Sequence, residues 1–105
     1  MHIVMYLFVV KKNHEKQFMD SWKGLTSLIY KYHGSLGSRL HKKSSFEYIA
    51  YAQWPNKAKF EAASGGELPQ EANKHRDLMR LACDKIEVIN KFDVVEDLLA
   101  NKLND

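Results

Sequence analysis

The stretch HIVMYLFVV, residues 2–10, decides the fold. Nearly every residue in it is apolar, and most are of the β-branched or aromatic types that favour strands. Successive side chains of a strand point to opposite faces, so even-numbered residues from His2 to Val10 share one face and odd-numbered residues from Ile3 to Val9 share the other. Because both faces are apolar, both must be covered. We therefore expect helices against one face and a second apolar surface against the other.

An amphipathic helix is predicted after this strand. Asn13 can cap the helix, and Glu15 lies where a negative charge favours the positive helix end. The sequence His33-Gly34 is typical of a helix C-terminus. Between these ends, apolar residues recur at steps of three and four and predict one buried stripe. They are Phe18, Trp22, Leu25, Ile29 and Tyr32.

Two strands and a short helix follow. Residues 35–43 (SLGSRLHKK) are polar and contain glycine, which is typical of an edge strand. Residues 46–54 (FEYIAYAQW) form a stronger strand pattern that ends before Pro55. Asn56 can cap a short helix through Ala63, and Ser64-Gly65-Gly66 interrupts the chain.

The last third of the chain predicts one more helix and one more strand. The helix runs from Pro69 to about Cys83, and residues 85–95 (KIEVINKFDVV) alternate as a final strand. The order β-α-β-β-α-β predicts an α+β, ferredoxin-like domain with an antiparallel sheet and its helices on one face. We predict one domain over residues 1–95, with 96–105 as its short C-terminal helix or tail. A second copy could cover the other sheet face, which predicts a homodimer through that face.

Bulk composition excludes several classes of protein. A net charge of +3 over 105 residues is too weak to indicate nucleic-acid binding by itself. No run approaches the length of a membrane span, and the N-terminus lacks the features of a signal peptide. The single cysteine, Cys83, cannot form an internal disulfide and is expected to be a small buried hydrophobe rather than a nucleophile. We therefore expect a cytoplasmic protein without nucleic-acid or membrane partners.

Three stretches resemble the antibiotic-biosynthesis-monooxygenase family. They are the first strand with KKNHEKQFMDSW (11–22), then HGSLGSRLHK (33–42), and FEYIAYAQWPNKAKFEAA (46–63), which is the most specific. The resemblance implies a dimeric α+β barrel with a substrate cleft between sheet and helices. It also implies a monooxygenase that needs no metal or flavin. A small aromatic or quinol-type substrate is deprotonated, and the protein binds, desolvates and stabilises the anion that reacts with O2.

The resemblance also names candidate catalytic residues. Trp54 occupies the family's tryptophan position, so its indole N–H could donate to a substrate oxygen; alternatively it is a core residue that fills the helix–sheet seam. His75, on the second helical region, could be the base or an anion stabiliser, or else a surface helix histidine.

Further side chains are candidates for substrate binding. Arg39 and His41 share one side of the second strand, where the alternative is a solvated edge. Trp22 belongs to the helical stripe, where the favoured alternative is a core residue. The complete set of these candidates is Tyr6, Trp22, Arg39, His41 and Phe60.

Several positions depart from the family's catalytic patterns. Ala50 stands where polyketide oxygenases often carry asparagine, and Phe60 stands where they carry tyrosine. Haem degraders use an asparagine and a tryptophan at positions that match Tyr6 and Ala63, and their iron ligand falls nearer Asn73 than His75, so haem degradation is disfavoured. An alternative is a non-catalytic small-molecule-binding or stress-related protein.

Two other classes find little support in the residues. The five histidines show neither H-x-x-x-H nor H-E-x-x-H spacing, so no metal site is predicted. An RNA-binding module shares the element order, but FEYIAYAQ (46–53) lacks the glycine and basic residue of its third-strand motif.

Overall fold

The computed structural model describes residues 1–100 of the chain. Its elements are β1 (His2–Val10), α1 (Glu15–His33), β2 (Gly37–Lys42), β3 (Glu47–Trp54), α2 (Lys57–Ser64), α3 (Glu71–Ala82) and β4 (Cys83–Asp93). The strands form one antiparallel sheet in the order β2-β3-β1-β4. The helices pack on one face of this sheet, which confirms the predicted α+β ferredoxin-like arrangement.

β1 lies at the centre of the sheet, between β3 and β4. Ile3 and Val4 point to opposite faces, and both are 0% exposed, so burial on both sides of this strand is confirmed at its start. The helix-covered face includes Tyr6 opposite Ala50. We call the other side the outer face; along β1 it consists of Ile3, Met5, Leu7 and Val9.

The apolar stripe of α1 is largely confirmed. Phe18 and Leu25 are buried, and Trp22 and Ile29 are half-buried, whereas Tyr32 is half exposed and lies outside the packed stripe. Gly34 ends the helix in the left-handed conformation, at φ 74°, as predicted.

The two predicted helix caps differ in outcome. Asn56 Oδ1 accepts a hydrogen bond from Lys59 N at 2.8 Å, so the predicted cap of α2 is confirmed. The cap predicted at Asn13 is wrong, because that residue has φ 66° and lies one position before His14, which precedes α1. A left-handed turn of this kind is one that asparagine tolerates better than most residues.

The boundary between α3 and β4 also differs from the prediction. β4 begins at Cys83 and ends at Asp93, two residues earlier at each end than the predicted span 85–95. Cys83 pairs with Val10 in the sheet, so the helix passes into the strand without a loop. Residues 94–100 have no regular structure, and the remainder of the predicted tail, 101–105, lies outside the described residues. No helix within residues 1–100 has the length and hydropathy that crossing a bilayer requires.

Candidate functional site

A cavity of about 200 Å³ lies between the sheet and the helices. Its walls come from β1, α1 and β3, with contributions from the α1–β2 connection, β2, α3 and β4. They comprise Tyr6, Phe8, Trp22, Leu25, Thr26, Ile29, Ser35, Ser38, Ala50, Ala52, Trp54, Met79 and Ile86. The cleft that the family resemblance implies is therefore present at the expected place.

Two small residues of β3 leave room for this cavity. Ala50 pairs with Tyr6 and Ala52 pairs with Val4, and both alanines are buried on the helix-covered face. A methyl group at these positions cannot reach across to α1, so the space that a larger side chain would fill stays open. Ala50, which departs from the family's asparagine, thus contributes volume rather than a hydrogen bond.

Trp54 is the most unusual polar group on the wall. The side chain lies at the end of β3, is 4% exposed, and packs edge-on against Phe60 with ring centroids 5.6 Å apart. Its Nε1 is buried and has no hydrogen-bond partner among residues 1–100. An unpaired buried donor costs about 1–3 kcal/mol, so this N–H is an unusual feature of the interior beside the cavity.

Tyr6 is the one ionisable side chain among the residues that line the cavity. Burial raises the pKa of its phenol above the ordinary value of 10.0. The hydroxyl therefore keeps its proton at neutral pH and can donate a hydrogen bond. It does not act as a base under those conditions.

The serine hydroxyls on the wall are bonded to backbone. Ser35 Oγ accepts from Gly37 N at 3.0 Å, and Ser38 Oγ donates to Tyr51 O at 3.1 Å. The Ser38 bond holds the start of β2 against β3, and the Ser35 bond is local to the turn before β2. Apart from these two serines, the lining residues with polar side-chain groups are Tyr6, Thr26, Trp22 and Trp54, and the others are apolar.

The structure brings together only some of the predicted site residues. Tyr6, Trp22 and Trp54 line the cavity, and Phe60 lies behind Trp54. His75 does not line it, because its ring packs over Gly24 of α1. The catalytic and binding roles assigned to these residues stay predictions.

Arg39 and His41 lie across the sheet from the cavity. They pair with Tyr51 and Ile49, which belong to the outer face, and His41 Nδ1 lies 3.2 Å from Ile49 O. Both line an open depression on that face. Their proposed role in the cavity would require them to reach through the sheet.

The sequence did not predict a contact between the buried His2 and the exposed Asp93. His2 is 3% exposed, and its Nδ1 lies 2.8 Å from Asp93 Oδ1, while its Nε2 is buried without a partner in the described part of the chain. The two residues are register partners on β1 and β4. The signal was present as a histidine in an otherwise apolar strand, but its partner is 91 positions away and appears only with the strand register.

Comparison with known proteins supplies fold relatives. No family model and no curated protein sequence matches the chain. Among solved structures, it is similar to SnoaB, a cofactor-independent oxygenase from Streptomyces nogalater, with a TM-score of 0.74 and 15% identity over 94% of this chain and 97% of SnoaB.

Two further structures are named as candidate antibiotic biosynthesis monooxygenases. The protein from Deinococcus radiodurans has a TM-score of 0.72 and 10% identity, over 96% of this chain and 99% of that one. The protein from Caulobacter crescentus has a TM-score of 0.73 and 14% identity, over 90% of each chain. At these identities the likeness shows the fold alone, and the chain therefore has the fold of the antibiotic biosynthesis monooxygenases, as its sequence motifs predict.

Proposed function

We propose that this protein is a cofactor-independent monooxygenase that oxidises a small aromatic or quinol-type molecule with O2. The observation that carries the proposal is the apolar cavity between sheet and helices, whose wall includes Trp54, a residue with a buried indole N–H that is unpaired within residues 1–100. The fold shared with SnoaB, which is named a cofactor-independent oxygenase, supports the same assignment.

The size and lining of the cavity favour a small, flat, apolar ligand. Its volume of about 200 Å³ is below the roughly 300–1,000 Å³ that pockets for drug-sized ligands occupy. Aromatic and aliphatic side chains dominate the walls, including Phe8, Trp22 and Ile29. These features support a ligand with one compact ring system.

The proposed chemistry needs only a stabilised substrate anion and O2. Loss of a proton from an acidic C–H gives an electron-rich carbanion, which passes electrons to O2 and forms a C–O bond as a hydroperoxide. At a CH2 carbon, loss of water from the hydroperoxide leaves a carbonyl, so one oxygen atom enters the product and the other leaves as water. All the electrons come from the substrate, and no external reductant is required.

Trp54 and Tyr6 would act as hydrogen-bond donors to the oxygen on which charge develops. A preorganised donor in a water-poor site stabilises such an anion far more than the same donor in water. No lining side chain is an ordinary base at neutral pH, so the substrate itself must be acidic. The hydrogen-bond donors would lower the pKa of the substrate further.

Oxygen consumption tests the proposal directly. Metal-free protein with a panel of anthrones, hydroquinones and flavonols is expected to consume O2 in step with substrate. Trp54→Phe keeps an aromatic ring but removes the N–H, so kcat should fall about 100-fold, as it does when an oxyanion donor is lost. Trp22→Phe is the matched control and should lower kcat by less. No O2 uptake with any compound, or unchanged kcat in Trp54→Phe, would count against the proposal.

A second candidate is a small-molecule-binding protein without catalysis. It is favoured by Ala50, which lacks the amide that the family's polyketide oxygenases often carry at that position, and by a lining whose one ionisable group is protonated at neutral pH. Introducing Ala50→Asn tests this candidate. If the natural chain binds aromatic compounds without O2 uptake and the variant consumes O2, the binding function is the correct one.

We also propose that the protein is a homodimer through the outer face. Met5, Leu7 and Ile49 supply apolar side chains there that are only half-buried, and Leu36 and Phe92 are 47% and 43% exposed. Burial of such a patch against a second copy would be favourable. Light scattering should give twice the chain mass of 12.2 kDa, and a stable species of 12.2 kDa would contradict it.

We also propose that the protein is located in the cytoplasm. The chain's single cysteine, Cys83, is free and buried, which suits a reducing compartment without requiring one. Fractionation of the source cells tests this, and recovery outside the cytoplasm would contradict it.

A further inference from the structure

Helix α2 is attached to the domain more loosely than the other two helices. α1 and α3 each have fully buried residues, whereas α2 has none, and only its Phe60 and Ala63 are half-buried. Within residues 1–100, no hydrogen bond or ion pair joins residues 56–66 to another part of the chain; the bonds of this segment are all internal to it. A segment with so few buried contacts opens at a low cost in free energy.

Phe60 makes the main contact between α2 and the rest of the domain. Its ring packs edge-on against Trp54, with centroids 5.6 Å apart, and its centroid lies 5.8 Å from that of the His2 ring. Lys91 Nζ lies 5.4 Å from the centre of the Phe60 ring, which is a favourable cation–π distance. Phe60 is therefore the side chain that holds α2 against the sheet.

Through these contacts α2 covers one wall of the cavity. Phe60 and Ala63 pack on a cluster that includes Ala52 and Trp54, and both of these residues line the cavity. Neither Phe60 nor Ala63 lines the cavity itself, so Trp54 stands between α2 and the space. With Phe60 in place, the indole is buried and held on the wall. Without that packing, the indole would be free to turn aside and open this wall.

The chain is anchored on both sides of α2. Trp54 pairs with His2 in the sheet, and Gly66 lies so close under the ring of His33 that a Cβ there would be 2.5 Å from its Cε1. Gly65 differs, because a Cβ at that position would have no heavy atom within 4 Å. Glycine adopts more backbone conformations than other residues do. Gly65 is therefore the point at which α2 can turn relative to the anchored chain.

Two unpaired nitrogens lower the cost of opening. Trp54 Nε1 and His2 Nε2 are both buried without a hydrogen-bond partner among residues 1–100, and both rings lie beside Phe60. Removal of Phe60 would let water reach these rings. The hydrogen bonds gained would offset part of the packing that is lost, which reduces the difference in free energy between closed and open states.

We propose that α2 is a lid over the Trp54 wall of the cavity, which lifts with Phe60 to admit a ligand and closes again over it. The gating role rests on the proposed function, since it takes the cavity to be the binding site, whereas the motion of α2 does not. A ligand that binds the closed state more tightly than the open one must hold the lid shut.

Hydrogen exchange of the whole chain tests the motion. Backbone amides of α2 should exchange through a local opening, at rates that low urea concentrations barely change, whereas amides of α1 and α3 should require larger unfolding. Phe60→Ala should speed exchange in α2 about tenfold through lost packing, although alanine is the better helix former, and should leave exchange in α1 unchanged. Tyr32→Ala is the matched control, because Tyr32 is a half-exposed aromatic residue outside the packed stripe, and exchange in α2 should stay unchanged.

Fluorescence and a ligand test the gating role. In a Trp22→Phe background Trp54 is the only tryptophan, and acrylamide should quench it more strongly when Phe60→Ala is added. Naphthol at ten times its Kd should slow exchange in α2 of the natural protein about tenfold, because it binds only the closed lid.

The outcomes separate the lid from the function on which its gating role rests. Amides of α2 that exchange only with global unfolding would overturn the lid, whatever the cavity binds. Naphthol that binds without slowing exchange in α2 would overturn the lid and leave the cavity as a binding site. Failure of naphthol to bind would overturn the gating role together with the proposed function, and the exchange rates would still decide whether α2 opens.

Discussion

At the scale of single residues, Trp54 and Tyr6 give the cavity its chemistry. Trp54 is buried and Tyr6 is half-buried, and the indole N–H of Trp54 is unpaired within residues 1–100. Trp54 was predictable because it ends a strand in a recognisable motif. His2 was not, because its partner Asp93 depends on the pairing of β1 with β4.

The buried phenol of Tyr6 should make stability depend on alkaline pH. Burial raises its pKa in the folded protein above the value of 10.0 expected when unfolded. Above pH 10 the unfolded chain therefore holds fewer protons at this site, and stability falls as pH rises towards the folded pKa. Tyr6→Phe should lessen this loss in urea denaturation series across that range.

An ultraviolet titration of the same two proteins checks the cause. The natural protein should show a phenol that ionises late, and Tyr6→Phe should lack it. Identical titration curves for the two proteins would mean that the phenol is not buried as described.

At the scale of elements, the packing of α1 on α3 depends on close approach. Gln17 Nε2 donates to Leu78 O at 2.8 Å, and His75 lies directly over Gly24. The helical stripe of α1 was predictable from its period, but this contact was not, because it joins a glycine to a polar residue. The start of β4 was predicted two residues too late because neither Ala82 nor Cys83 is a residue type that ends a helix.

The variant Gly24→Ala tests how closely the ring of His75 packs against Gly24. A Cβ at position 24 would overlap the ring of His75, so the ring must move. Although alanine is the better helix former by about 1 kcal/mol, we expect the variant to be less stable than the natural protein. In a His75→Ala background the same change should be stabilising.

Denaturant unfolding of all four proteins gives the interaction energy, which should be about 1 kcal/mol or more. Additive effects of the two changes would show that His75 does not pack on Gly24.

At the scale of the whole molecule, the apolar first strand and the element order together predicted the ferredoxin-like arrangement. The family resemblance implied a cleft between sheet and helices, but its volume could not be predicted, because it depends on how Ala50 and Ala52 face α1. The sequence also could not predict that Arg39 and His41 lie on the opposite face of the sheet from Trp54. Their alternation was correctly inferred, but only the register with Tyr51 and Ile49 shows that they belong to the outer face.

The central claim is that the space beside Trp54 is a binding site for a small aromatic molecule. Nuclear magnetic resonance of isotope-labelled protein titrated with naphthol tests it most directly, because Trp22 and Trp54 are the only indoles in the chain and both line the cavity. The account predicts that both indole N–H resonances shift on binding, while backbone amides of Arg39 and His41 change little. Unshifted indoles, or shifts confined to the outer face, would contradict it.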